Sequence, residues 1–236
     1  MKKFFLLLSL FLGISFGNAQ GFGVQLGLNS AKLSGEQIIT DGTTESFPIK
    51  SSAKSGLNMG LNYDFEISEN LYVQPGLYFS QKGTKGDFVY PWGSIEKWDL
   101  RVNYLEIPVL IKYKFEINDD ISILGLAGPS YNLGLSGELI SIDNDDKPDT
   151  YDLDLINNYD DKDNDGNTYA WKKTYFGFQI GAGVMYQNFE LKLMYTAGLS
   201  NASVIDKSSS NNSYYAYKED FKQNVFSINL GYRFMD

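Results

Sequence analysis

The sequence has neither cysteine nor histidine in its 236 residues. The first absence excludes disulfides, thiolate metal sites and cysteine nucleophiles. The second removes the Ser-His type of hydrolase and every other mechanism that needs an imidazole. Basic residues are short as well, 20 against 29 acidic ones for a net charge of −9, which excludes a nucleic-acid partner because that would need a basic face. After Gln20 no apolar run approaches the length of a transmembrane helix, and the mean hydropathy is −0.27. The abundant residues are aromatic or small, with 17 Tyr, 16 Phe and 23 Gly, and the 43% hydrophobic content is too high for wholesale disorder.

Lys2 and Lys3 precede an apolar run from Phe4 to Phe16, and Gly17, Asn18 and Ala19 place small residues ahead of a cut before Gln20. Residues 1–19 are therefore expected to be a signal peptide and residues 20–236 a single exported barrel domain. The run is shorter than the roughly 20 residues of a membrane anchor. Loss of Lys2 and Lys3 takes the net charge from −9 to −11. No lipid-accepting cysteine follows the cut.

Beyond Gln20 the hydrophobic period is two. Phe22, Val24, Leu26 and Leu28 alternate with Gly23, Gln25, Gly27 and Asn29. Leu57 to Phe65, Leu71 to Phe79, Leu105 to Phe115, Phe176 to Tyr186, Phe189 to Leu199 and Phe226 to Phe234 repeat the pattern. Ile121 to Leu135 also reads as a strand, with ambiguous phase, since Ile121 and Ile123 oppose Leu124 and Leu126. The total is about eight strands. Short links near Glu66 to Asn70, Glu116 to Asp120 and Gln187 to Asn188 alternate with long polar ones near Leu33 to Ala53, Gly83 to Leu100, Ser136 to Lys172 and Ser200 to Lys222.

This asymmetry predicts an all-β fold, an up-and-down antiparallel transmembrane β-barrel with short periplasmic turns and long extracellular loops. Both termini would then lie in the periplasm of a Gram-negative bacterium. Tyr63, Phe65, Tyr113, Phe115, Tyr186, Tyr232 and Phe234 cluster at the short-turn ends as an interfacial girdle. A secreted soluble barrel binding an apolar ligand is the alternative. It should carry charge at mid-strand on its outer face, whereas the alternate face here is mostly Gly, Asn, Gln and Ser.

Several stretches, among them Gly23 to Leu33, Val73 to Gly83, Asn103 to Lys112, Gly125 to Tyr131, Gly177 to Tyr186, Tyr195 to Asn201 and Ser227 to Phe234, together resemble the PorT-like outer-membrane β-barrel domain family. The resemblance implies an eight-stranded outer-membrane barrel and, for most members, no assigned biochemical activity. Met194 stands where many relatives carry a basic residue, and Met235 and Asp236 follow the terminal aromatic.

On the inward phase lie Asp64, Glu106, Lys112, Glu190, Lys192 and Arg233. A barrel of eight strands is just wide enough to be filled by side chains, so these six are expected to form a buried ion-pair network that plugs the lumen. A narrow channel or small-ligand transporter lined by the same charges is the rival. In the longest link, Asp161, Asp163 and Asp165 with Gly166 match the first half of a calcium loop, but Lys172 holds the position of the bidentate acid. The expectation is at most weak calcium binding and no other cofactor. Trp92, Trp98, Tyr214, Tyr215 and Tyr217 are expected in an outer aromatic band, with stacking on a glycan or an envelope or extracellular protein as the rival role. Gly181 and Gly183 lie inside a strand and lack the third glycine of a nucleotide loop. Acids such as Asp149, Asp152 and Asp154 crowd one link with nothing to split their protonation behaviour, so no enzyme is expected. The reading is a non-enzymatic integral barrel in outer-membrane lipid, its loops available to a partner.

Overall fold

The computed structural model describes residues 21–41, 43–48, 50–89, 95–142, 148–156, 169–203, 206–207 and 215–234. Eight long strands form the wall: β1 (Phe22–Asp41), β2 (Ser51–Tyr63), β3 (Leu71–Val89), β4 (Ile95–Glu116), β5 (Ile121–Ile142), β6 (Thr174–Tyr186), β7 (Phe189–Gly198) and β8 (Tyr215–Phe234). Each pairs antiparallel with its sequence neighbour, β1 pairs with β8, and the ring is closed. Below the level of Thr196 and Val225 the closure leaves no unpaired edge, so the backbone groups of the wall satisfy one another there.

The period of two becomes an inside and an outside. Leu26, Leu28, Ile180, Phe176 and Leu230 are all more than half exposed, while Asn29, Gln74, Glu106, Asn132 and Lys192 are buried. A soluble barrel would have these faces reversed. The ambiguous phase of β5 resolves with Ile123 outside and Leu124 and Leu126 inside.

At the short-turn end, Gln187 and Asn188 join β6 to β7, and Gln187 takes a φ of 51°. The turn before β5 is held by Asn118, whose Oδ1 accepts from the amides of Asp120 at 3.0 Å and Ile121 at 2.8 Å. The girdle is continuous here. Ring centroids lie 6.0 Å apart for Phe22 and Phe234, 4.9 Å for Tyr232 and Phe234, and 5.1 Å for Phe189 and Tyr232.

The far end departs from the sequence reading. Much of the four long links is strand: β1 and β8 pair from Phe22↔Phe234 to Asp41↔Tyr215, and β4 and β5 continue to Lys97↔Ile142. On β1, β4 and β8 the phase does not change along these extensions, whereas β5 shifts by one residue between Gly134 and Ser136, and the chemistry inverts. On β4, Leu100, Val102 and Tyr104 are buried inside while Arg101 and Asn103 face out, beside a bulge between Asn103 and Tyr104. Above this level the wall has the patterning of a water-soluble barrel, apolar within and polar without.

That upper interior is filled. Leu33, Leu100, Val102, Tyr104, Leu153, Trp171, Tyr175, Ala202 and Phe221 form one apolar cluster. Leu153 and Trp171 come from the link between β5 and β6, whose strand Pro148–Ile156 pairs antiparallel with β5 and parallel with Tyr169–Lys172. Backbone bonds from Gly134 N to Lys173 O at 2.6 Å and from Lys172 N to Ala202 O at 3.0 Å tie this segment to β5 and to the β7–β8 link. Trp98 packs against the cluster instead of joining an outer band, because it shares the inward phase of Leu100 and Val102. Trp92, Tyr214, Asp161, Asp163 and Asp165 lie outside the described residues.

Candidate functional site in the barrel lumen

The inward polar residues gather into two clusters. Nearer the short turns, Glu190 of β7 is the hub. It accepts from Lys112 in a very close ion pair, from Lys192 at 3.1 Å, and from both Nε and Nη2 of Arg233 at 3.1 and 3.3 Å. Asp64, between β2 and β3, accepts from Lys112 at 2.7 Å and Arg233 at 3.1 Å, and its other oxygen accepts from Gln74 at 2.6 Å. The guanidinium is completed by Gly21 O at 2.6 Å and Asn62 Oδ1 at 2.8 Å. Such multidentate, charge-assisted bonds are what offset the desolvation of buried ions.

Glu106 does not join this hub. It sits higher, bound to Lys82 of β3 at 2.6 Å and to the side-chain amide of Gln179. Lys82 also donates to Asn132 Oδ1 and Tyr175 Oη, both at 2.8 Å, and lies 5.4 Å from the centre of the Tyr175 ring. Tyr175 and Tyr104 meet edge to face at 5.2 Å, and Trp171 donates to Tyr104 Oη at 2.9 Å. The upper charge pair is thus roofed by the apolar cluster of the mouth.

Sequence reasoning placed five residues of the hub together but missed Lys82, Gln74, Gln179 and the aromatic roof. Lys82 shares the parity of Gln74, Tyr78 and Ser80 on β3, so strict extension of the alternation would have found it. It also missed that the lumen is partly greasy: Leu110, Leu124, Leu126, Met185 and Met194 form an apolar cluster along the β4–β7 side of the wall.

Close packing at the hub depends on a missing side chain. A Cβ on Gly23 would lie 2.6 Å from Asn62 Oδ1 and 3.3 Å from Arg233 Cζ. Gly23→Ala is therefore expected to push Asn62 off the guanidinium and to cost about 1–3 kcal/mol, read as a lower urea midpoint with unchanged slope.

Between the clusters lies a cavity of about 30 Å³ lined by Gln25, Asn58, Tyr78, Glu106, Thr196 and Asn229 among others. That exceeds the roughly 10–15 Å³ that one water needs. Asn229 Oδ1 has no hydrogen-bond partner among the described residues, which suits a water donor there.

A closed eight-stranded ring with an aromatic girdle and lipid-compatible exterior invites comparison with known barrels. Residues 12–204 match the model of the outer membrane protein beta-barrel domain. The chain belongs to that family. Its members' compartment is the Gram-negative outer membrane. The barrel is similar in fold to OprG of Pseudomonas aeruginosa, at 13% identity and a TM-score of 0.46 over 93% of this chain and 99% of that one. Neisserial surface protein A gives 13% identity and a TM-score of 0.41, covering 92% and 99%. Ail of Yersinia pestis gives 14% identity and a TM-score of 0.35, also over 92% and 99%. Among curated proteins no sequence matches the chain.

Proposed function

We propose that this is a non-enzymatic outer-membrane barrel with a sealed lumen, serving as a rigid base for its long connections. The observation that carries the reading is the filled interior. Two ion clusters, the apolar wall cluster and the Trp171 roof occupy the interior, and the cavity between the ion clusters measures about 30 Å³, which supports a lumen filled by side chains. The lumen carboxylates Asp64, Glu106 and Glu190 each contact a cation, so none is poised as an acid or base for a substrate.

Short turns at one end and long connections at the other support an orientation with both termini in the periplasm. The connections would then face outward to meet an envelope or extracellular protein or a glycan. The motifs from Gly23 to Phe234 support a PorT-like place within the family. In planar bilayers the purified protein is expected to give no steady conductance. Reproducible unit steps would replace the sealed reading with a channel.

A further inference from the structure

The outer wall carries a feature independent of the lumen. β1 and β8 pair in unbroken register upward from Phe22↔Phe234 in the girdle, so heights along this seam can be counted. At about 3.4 Å per residue and a tilt of about 40°, each residue climbs about 2.6 Å along the barrel axis. Lys32 is ten residues above Phe22, and Lys222 is twelve residues from Phe234. Their backbones therefore stand about 26 and about 31 Å above the girdle, where an apolar band about 25 Å tall ends.

Lys32 lies opposite Asn224 and Lys222 opposite Ser34, all on the outward phase. The two lysines are thus diagonal neighbours, about 7–8 Å apart at the backbone. Both are exposed, and neither forms an ion pair among the described residues. Two other cations toward this end are engaged: Arg101 with Glu138 at 2.9 Å and Lys85 with Asp99 at 3.6 Å. The acids Glu36 and Asp220 sit opposite each other one step further from the membrane. Directly below, Leu28 and Phe226 face lipid, about half exposed or more.

Two unpaired ammonium groups at headgroup depth, on a chain of net charge −9, call for an anion that the bilayer itself supplies. We propose that Lys32 and Lys222 together bind the phosphate of an anionic lipid in the leaflet at the long-loop end. Each flexible lysine reaches as a point charge, and the diagonal spacing lets both donate to one phosphate.

The test is native mass spectrometry of the folded barrel exchanged with phosphatidylglycerol or phosphatidylcholine. Wild type is expected to retain phosphatidylglycerol preferentially, and K32Q/K222Q to lose about tenfold of that retention. Lys114→Gln, at the short-turn end, should leave it unchanged. Heat-modifiable gel mobility shows that each variant is folded. Raising salt from about 50 to about 300 mM on wild type alone should weaken retention several-fold. Equal retention by the double variant, no preference in wild type, salt-insensitive binding, or capture of inorganic phosphate without preference for the lipid would each overturn the proposal.

Discussion

Replacing Glu190 by leucine is expected to destabilise the barrel by about 3–5 kcal/mol, the usual effect of removing one partner from a buried ion cluster. Glu190 is 2% exposed and touches Lys112, Lys192 and Arg233. Without it, Lys112 and Arg233 face Asp64 alone in a low-dielectric interior, and Lys192 loses the one ion-pair partner it has among the described residues. Lys192→Met should behave differently. It removes the cation in excess and leaves Lys112 and Arg233 balanced against Asp64 and Glu190, so the expected change is within about 1 kcal/mol of zero. Urea unfolding in lipid vesicles, followed by tryptophan fluorescence, measures both. Equal losses for the two variants would mean that packing, and not charge balance, sets the hub's contribution.

The lipid-bathed half of the molecule was legible because its physics is periodic. Phe22, Val24, Leu26 and Leu28 alternate with Gly23, Gln25, Gly27 and Asn29, the spacing of a two-faced strand. The hub followed from parity alone: once the apolar phase faces out, Asp64, Lys112, Glu190, Lys192 and Arg233 have nowhere to go but in. Its separation from Glu106 was not legible. Which inward charges meet depends on the stagger between strands that are distant in sequence, and no local pattern records it. The mouth was illegible for a different reason. Along Leu33, Leu100, Val102 and Phe221 the alternation continues, but with polar residues outside, so a reader seeking apolar-out strands sees polar loops. Leu153 and Trp171 reach the core from a link with no period of its own.

That inversion makes the alternation along β4 a ruler for where lipid gives way to water. Ile107 faces outward below the bulge at Asn103 and Tyr104, and is 37% exposed. Ile107→Arg places a guanidinium against hydrocarbon between the midplane and the boundary and is expected to cost about 1–2 kcal/mol, less than at mid-bilayer. Asn103 faces outward only four positions earlier, where its amide donates to Ser136 Oγ at 2.9 Å on the exposed rim. There Asn103→Arg meets water and should change stability by no more than about 0.5 kcal/mol. Val102, next along the chain, is 0% exposed among Leu100, Tyr104 and Phe221, so Val102→Arg buries an unpaired charge and is expected to be the most damaging of the three. The order Val102, Ile107, Asn103 in unfolding free energy is what a wall passing from lipid into water requires. A substitution at Asn103 as costly as that at Ile107 would put the membrane boundary well above the bulge and make the extended strands part of the transmembrane wall.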